Sequence, residues 1–197
     1  MQIITCDQRS EEWDKCRAGK FTASSALAIA TQGKGLETLA LQKAIERVTG
    51  EKEKTVQVNE YIQHGIDTEN EARTIYELET GNKVEQVGFV VDNEWVGCSP
   101  DGLVSFDGLI EIKCPSNKVY AEYLVSDKVD NGYYHQMQMQ MLITKRTWCD
   151  YVVYNSNFGY KPIIIKRIYP DKEVMDKIAD GLIKGIELTK QYMEKMK

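Results

Sequence analysis

Apolar positions recur at helical spacing in some stretches of the chain and alternate in others, and the switches between the two mark the predicted elements. Residues 8–18 read as a short helix with Trp13 and Cys16 on one face. Thr22 or Ser24 is placed to cap a second short helix through the alanine-rich run SSALAIA. Gly33 and Gly35 break the chain before a third helix, LETLALQKAIERVT, which Gly50 closes. Over 58–80, Ile62, Ile66, Ala72, Ile75, Tyr76 and Leu78 keep a roughly helical spacing that ends at Gly81-Asn82.

There the period shortens. KVEQVGFVVD and EWVGCSPDGLVSFDGLIEIKCP hold short β-rich runs separated by Asp-Gly and Pro-Asp-Gly turns, which predicts an antiparallel meander. Residues 117–126 and 132–145 return to helix, TWCDYVVYN and KPIIIKRI are two further strands, and 171–197 is an amphipathic helix. The fold class expected is α/β, a mixed α+β arrangement in one domain over 1–197.

Composition narrows the function only by exclusion. A net charge of −5 argues against a protein that coats nucleic acid with its whole surface, but leaves room for a local carboxylate cluster. No apolar run of about 18 residues is present, and the first residues carry Asp7 and Glu11 where a secretion signal needs a basic and then an apolar run. A cytoplasmic protein without a membrane partner is expected. The five cysteines are scattered and never spaced as C-x-x-C, which disfavours a disulfide framework or a zinc knuckle.

The chemistry concentrates in SPDGLVSFDGLIEIKCP. Asp101 starts one predicted strand, and Glu111 and Lys113 lie on the next. Alternation along a strand points Glu111 and Lys113 to one face and Ile112 to the other. A hairpin brings Asp101 beside Glu111, and two carboxylates held together repel unless a cation lies between them. Hard oxygen donors on so short a span suit Mg2+, with Mn2+ as a substitute, and the Ile112 carbonyl is a further candidate ligand. A lysine at the edge of such a site can hold or help deprotonate the attacking water, which makes metal-assisted phosphodiester hydrolysis the indicated reaction. The competing reading is an exposed edge hairpin with a surface Glu–Lys pair. The apolar neighbours Leu109, Ile110, Ile112 and Cys114 weigh against it, since buried strands seldom hold charges without a partner.

Four segments in order then make the chain recognisable. KCRAGKFTASSALAIA, HGIDTENEARTIYELETG, GCSPDGLVSFDGLIEIKCP and YYHQMQMQMLIT resemble the segments of the bacteriophage lambda exonuclease family, the YqaJ-type viral recombinases of the PD-(D/E)xK nuclease superfamily. The resemblance implies a restriction-endonuclease-like core, a central mixed sheet flanked by helices. It implies Asp101 and Glu111 as metal ligands, Lys113 as the water-orienting base or electrostatic partner, and Glu69 as a further acidic residue of the metal site. Arg17 and Ser24 fall where the family binds a terminal 5′-phosphate, and Gln136, with Tyr133 near it, on the family's active-site helix. Asp92 matches an upstream acidic residue only with a one-residue shift in spacing.

On the residues themselves, an Arg beside Thr/Ser donors suits a phosphate. Gln136 and Gln140 share a helical face from which Gln138 points away, and His135 reads as structural. The function implied is a Mg2+-dependent 5′→3′ exonuclease on linear double-stranded DNA. It would release nucleotides and leave 3′ overhangs for phage-type recombination inside a bacterial host. A homotrimer and a single-strand annealing partner are implied in the same way. The alternatives are a structure-specific endonuclease or differently polarised exonuclease of the superfamily, and a catalytically silent DNA-end binder.

Overall fold

The computed structural model describes residues 1–51 and 60–197, the side chains of 60–67 excepted. The chain opens with strand β1 (Gln2–Ile4), helix α1 (Glu11–Arg17) and strand β2 (Phe21–Thr22), and turns through a 3-10 segment (Ala23–Ser25) into α2 (Ala26–Thr31) and α3 (Lys34–Thr49). Helix α4 (Glu60–Thr80) precedes strands β3 (Val84–Glu85), β4 (Phe89–Val91), β5 (Val96–Cys98), β6 (Gly102–Val104) and β7 (Gly108–Lys113). Helices α5 (Asn117–Ser126) and α6 (Asn131–Thr144), strands β8 (Trp148–Tyr154) and β9 (Ile163–Ile168), and helix α7 (Lys172–Lys195) complete it. The expected helix start at 58–59 and the apolar side chains of Ile62 and Ile66 lie outside what is described.

The expected meander is divided between two sheets. One has the order β1-β4-β5-β2, the other β3-β6-β7-β8-β9. The break falls at Ser99-Pro100-Asp101, where Pro100 has no N–H to continue a ladder and the chain leaves β5 for β6. In the five-stranded sheet β7 pairs antiparallel with β6 but parallel with β8, so the sheet is mixed, as expected. A parallel neighbour requires a crossover, and α5 and α6 provide it.

Strand β7 is interior and buried from Gly108 to Ile112, which rules out the exposed edge hairpin. Its two faces meet different helices. Ile110 and Ile112 pack with Ala72 and Tyr76 of α4, while Leu109 joins Met137, Met139 and Met141 of α6 in the main core. Glu111, between Ile110 and Ile112, therefore faces α6. The main core also takes in Phe21, Val90 and Cys98, so the smaller sheet shares it. Among the described residues no helix is long and apolar enough to cross a membrane.

The cap expected from Thr22 or Ser24 does not form. Neither hydroxyl bonds the start of α2, because the 3-10 turn intervenes and both hydroxyls are taken by Arg17. Elsewhere side-chain caps do start helices: Ser10 accepts from Trp13 N, Asp130 from Gly132 N and Tyr133 N, and Asp171 from Val174 N.

Candidate active site

Glu111 is 1% exposed on the interior strand, and both its oxygens are met. Oε1 accepts from Lys113 Nζ at 2.5 Å and from Gln136 Nε2 at 2.6 Å, and Oε2 accepts from Gln140 Nε2 at 2.7 Å. The i, i+4 pair on α6 thus holds one carboxylate from one face. Gln138 points away, bonding the Tyr169 carbonyl and the Asp171 N–H. Asp101 reaches the same strand, its Oδ2 accepting from Ile112 N at 2.7 Å. The sequence therefore brings Asp101, Glu111, Lys113 and Gln136 together.

The electrostatics are those of a crowded anionic site. Burial, reinforced by the Glu111 charge, pushes the Asp101 carboxyl up to about 8. Burial works against the Lys113 ammonium, but Glu111 and Asp101 outweigh it and hold the group above the ordinary lysine range. The Lys113 ammonium also lies 4.8 Å from the centre of the Tyr133 ring. Tyr133, expected with the phosphate-binding residues, stands beside Lys113 and packs against Tyr151.

A divalent cation between Asp101 and Glu111 would relieve the repulsion that raises Asp101. Among the described residues no three His, Cys, Asp or Glu side chains form a ready metal cage. Mg2+ does not need one, since it keeps several waters and takes one or two carboxylates. The donor set of Asp101, Glu111 and the Ile112 carbonyl fits that ion. Glu69 lies close enough to raise the Asp101 pKa, but its Oε2 pairs with Arg9 at 3.0 Å and its Oε1 with Arg73 at 2.9 Å. These groups border a cleft of about 530 Å³ that opens at Asp101 and also involves Gln86. Arg9 holds its place with φ 71°, a left-handed backbone that non-glycine residues seldom adopt. Asp92 lies in the β4–β5 turn, where its N–H donates to Val96 O and its carboxylate accepts from Asn93.

A second cluster adjoins the first. Arg17 donates to Ser99 Oγ at 3.3 Å and to Thr22 Oγ1 and Ser24 Oγ at 3.4 Å, and its guanidinium lies 4.1 Å from the Trp13 ring centre. Its Nε is buried with no hydrogen-bond partner, and burial pushes its pKa down. A guanidinium among hydroxyls with donor capacity to spare suits a phosphate. Arg17 and Ser24 were expected here. Thr22 is the other member of the Thr/Ser pair expected to add hydroxyl donors; Ser99 was not expected, because a lone hydroxyl carries little signal, and its clue is its place two residues before Asp101. Trp13 Nε1 donates to Ser99 Oγ at 2.8 Å and to Gly88 O, and Gln8 Nε2 to Pro100 O, so the Ser99-Pro100-Asp101 link is held from α1 and the residues before it.

Comparison with known proteins bears on the fold and the family. Residues 12–147 match the model of the YqaJ-like viral recombinase domain. The structure is similar to the alkaline exonuclease (LHK-Exo) of Laribacter hongkongensis, with 32% identity over 95% of this chain and 96% of that one and a TM-score of 0.87. The same enzyme in complex with dAMP aligns with 33% identity over 95% and 96% and a TM-score of 0.88. A phage-related exonuclease from Haemophilus somnus 129PT shares the fold at 17% identity, over 93% of this chain and 99% of that one, with a TM-score of 0.67. No curated protein sequence gave a match. With the family model covering more than half of its length and a relative matching along nearly all of it, the chain belongs to the YqaJ-like viral recombinase family and has its nuclease fold.

Proposed function

We propose that this nuclease is a Mg2+-dependent 5′→3′ exonuclease acting on the ends of linear double-stranded DNA and leaving 3′ single-stranded tails for recombination. The observation that carries the reading is the coupling of two clusters by three residues. Ser99 bonds Arg17 and Asp101 bonds the catalytic strand. Two residues of chain span at most about 7 Å, so the two clusters adjoin closely enough for neighbouring phosphates of one strand to reach both. Arg17, Thr22, Ser24 and Ser99 grip a terminal 5′-phosphate, and the next phosphodiester then falls beside Asp101, Glu111 and Lys113.

In the reaction, water adds to phosphorus and the bond from phosphorus to the 3′ oxygen breaks. The departing mononucleotide keeps a 3′-hydroxyl, and the remaining strand keeps the phosphate. Each cut thereby regenerates the 5′-phosphate that the Arg17 cluster grips, which suits repeated digestion from one end. Mg2+, held by Asp101, Glu111 and the Ile112 carbonyl, with Glu69 as a further acidic residue, would supply Lewis-acid stabilisation of the negative charge gathering on phosphate. Lys113 donates a hydrogen bond to the attacking water and orients it. Gln136 and Gln140 keep Glu111 from turning away, and Tyr133 shields the Lys113 side chain. A homotrimer around the duplex and a single-strand annealing partner follow from the family resemblance and belong to the same proposal.

The test is a linear duplex labelled separately at its 5′ and 3′ ends, incubated with Mg2+, with EDTA, and with Asp101→Ala and Lys113→Ala proteins. Early release of the 5′ label with Mg2+ alone, lost under the other three conditions, is expected. Early 3′ release would assign the opposite polarity, and internal cuts an endonuclease. No cleavage with Mg2+ or Mn2+ would leave a silent end binder. Sedimentation of the protein should give the mass of three chains; a monomer would remove the ring.

A further inference from the structure

Helix α3 reaches the loop that follows Arg17 through two consecutive side chains. The Gly19 N–H donates to Glu46 Oε2 at 2.7 Å, and the Gly19 carbonyl accepts from Arg47 Nε at 2.8 Å. Both backbone polar groups of one residue are therefore held by the last turns of one helix. Glu46 is 1% exposed, and Lys43 donates to it at 2.9 and 3.1 Å and Gln42 at 3.2 Å. Arg47 lies flat on Trp95, 3.4 Å from the ring centre, and also donates to the Glu94 carbonyl. Gly19 has φ +67°, and a Cβ there would lie 2.6 Å from Arg47 Cγ. Glycine is needed both for the turn and for the approach of Arg47.

A buried ion pair such as Lys43–Glu46 returns little net stability, because desolvation offsets most of the attraction. Its geometric effect is specific, since it presents Glu46 to one amide two residues from Arg17. The contacts of Arg17 to its hydroxyl partners are long, at 3.3–3.4 Å, and so fix the guanidinium only loosely. The backbone that carries Arg17 is held more firmly than its tip.

We propose that Glu46 and Arg47 are positioning residues that, by gripping Gly19, set the place of Arg17 and with it the preference for phosphorylated 5′ ends. This rests on the reading of the Arg17 cluster as the terminal-phosphate pocket. Neither residue touches substrate.

The test compares kcat/KM on duplexes with 5′-phosphate and 5′-hydroxyl ends. Arg47→Met keeps an apolar stem over Trp95 but loses the bond to the Gly19 carbonyl, and Gly19→Ala pushes Arg47 aside. Each is expected to lower the phosphate-to-hydroxyl ratio by about tenfold, through a higher KM for the phosphorylated end. Glu46→Gln, whose amide oxygen still accepts from Gly19, is expected to keep the ratio that Glu46→Ala loses. Arg17→Ala calibrates the reading. If it abolishes the ratio while Arg47→Met and Gly19→Ala leave it unchanged, or lower both substrates equally through kcat, the positioning role is overturned and the pocket stands. If Arg17→Ala itself leaves the ratio intact, both fall. Should Glu46→Ala fail to fold, the half-buried Arg47 carries the test.

Discussion

Glu111 has a carboxylate in a place where an uncompensated charge would cost several kcal/mol. Gln136, Gln140 and Lys113 meet that cost with three short donor contacts. Gln140 is fully buried and, among the described residues, its Oε1 has no partner and its one side-chain bond is to Glu111. Leaving a buried acceptor unpaired is unfavourable, which indicates that Gln140 is retained for the carboxylate it holds. Gln140→Ala is expected to weaken Mg2+ dependence or activity by about 10–100-fold, the usual effect of losing a group that orients a ligand. A Mg2+ titration of cleavage checks this, and an unchanged curve would make Gln140 a packing residue. The shared face of Gln136 and Gln140 was legible in the sequence because helical spacing dictates it. The pairing of Glu69 with Arg9 was not, since 60 positions separate them.

The long elements were legible for a related reason. Helices such as α3, α5 and α6 repeat their apolar spacing over several turns, and the structure places them within two residues of the expectation. Strands β1 and β2 have three and two residues, too few to show an alternation, and were missed. The meander was read correctly as strands and wrongly as one sheet, because a proline's missing donor ends a ladder without disturbing the apolar pattern on either side. Helix α7 was expected from its amphipathic stripe, but not which residue sets its distance from α2. At Gly181 a Cβ would lie 2.0 Å from the Ile29 carbonyl oxygen, a backbone atom that cannot swing aside. Gly181→Ala gains up to about 1 kcal/mol in helix propensity and loses about 1–3 kcal/mol to overpacking. A Tm lower by a few degrees is expected from thermal unfolding; a higher Tm would show that the two helices separate at little cost.

At the scale of the whole molecule, a charge of −5 and the small Arg17 cluster would, under the proposed function, let the protein meet DNA at few points. Each phosphate neutralised adds about −0.9 to the slope of log K against log salt, so contact through Arg17 and Lys113 gives roughly −2 per protomer. End-binding measured between low and moderate salt, with Ca2+ in place of Mg2+, checks this. A slope near −10 would reveal an extended basic track between protomers. Neither charge nor composition indicates how the two sheets divide the work, since that follows from which strand ends adjoin. In the proposed function, end recognition is built around the smaller sheet and the chemistry on the larger one.

Under the proposed function, the Ser99-Pro100-Asp101 link between them acts as a fixed stride. Both of its ends would then touch phosphate, and phosphate contacts carry no base identity. An enzyme that paces itself in this way reads length and is blind to letters. Duplexes ending in A·T or G·C pairs should therefore lose their first nucleotide at rates within a few-fold of each other. A stronger dependence would mean that the bases, and not the backbone, are what the link measures.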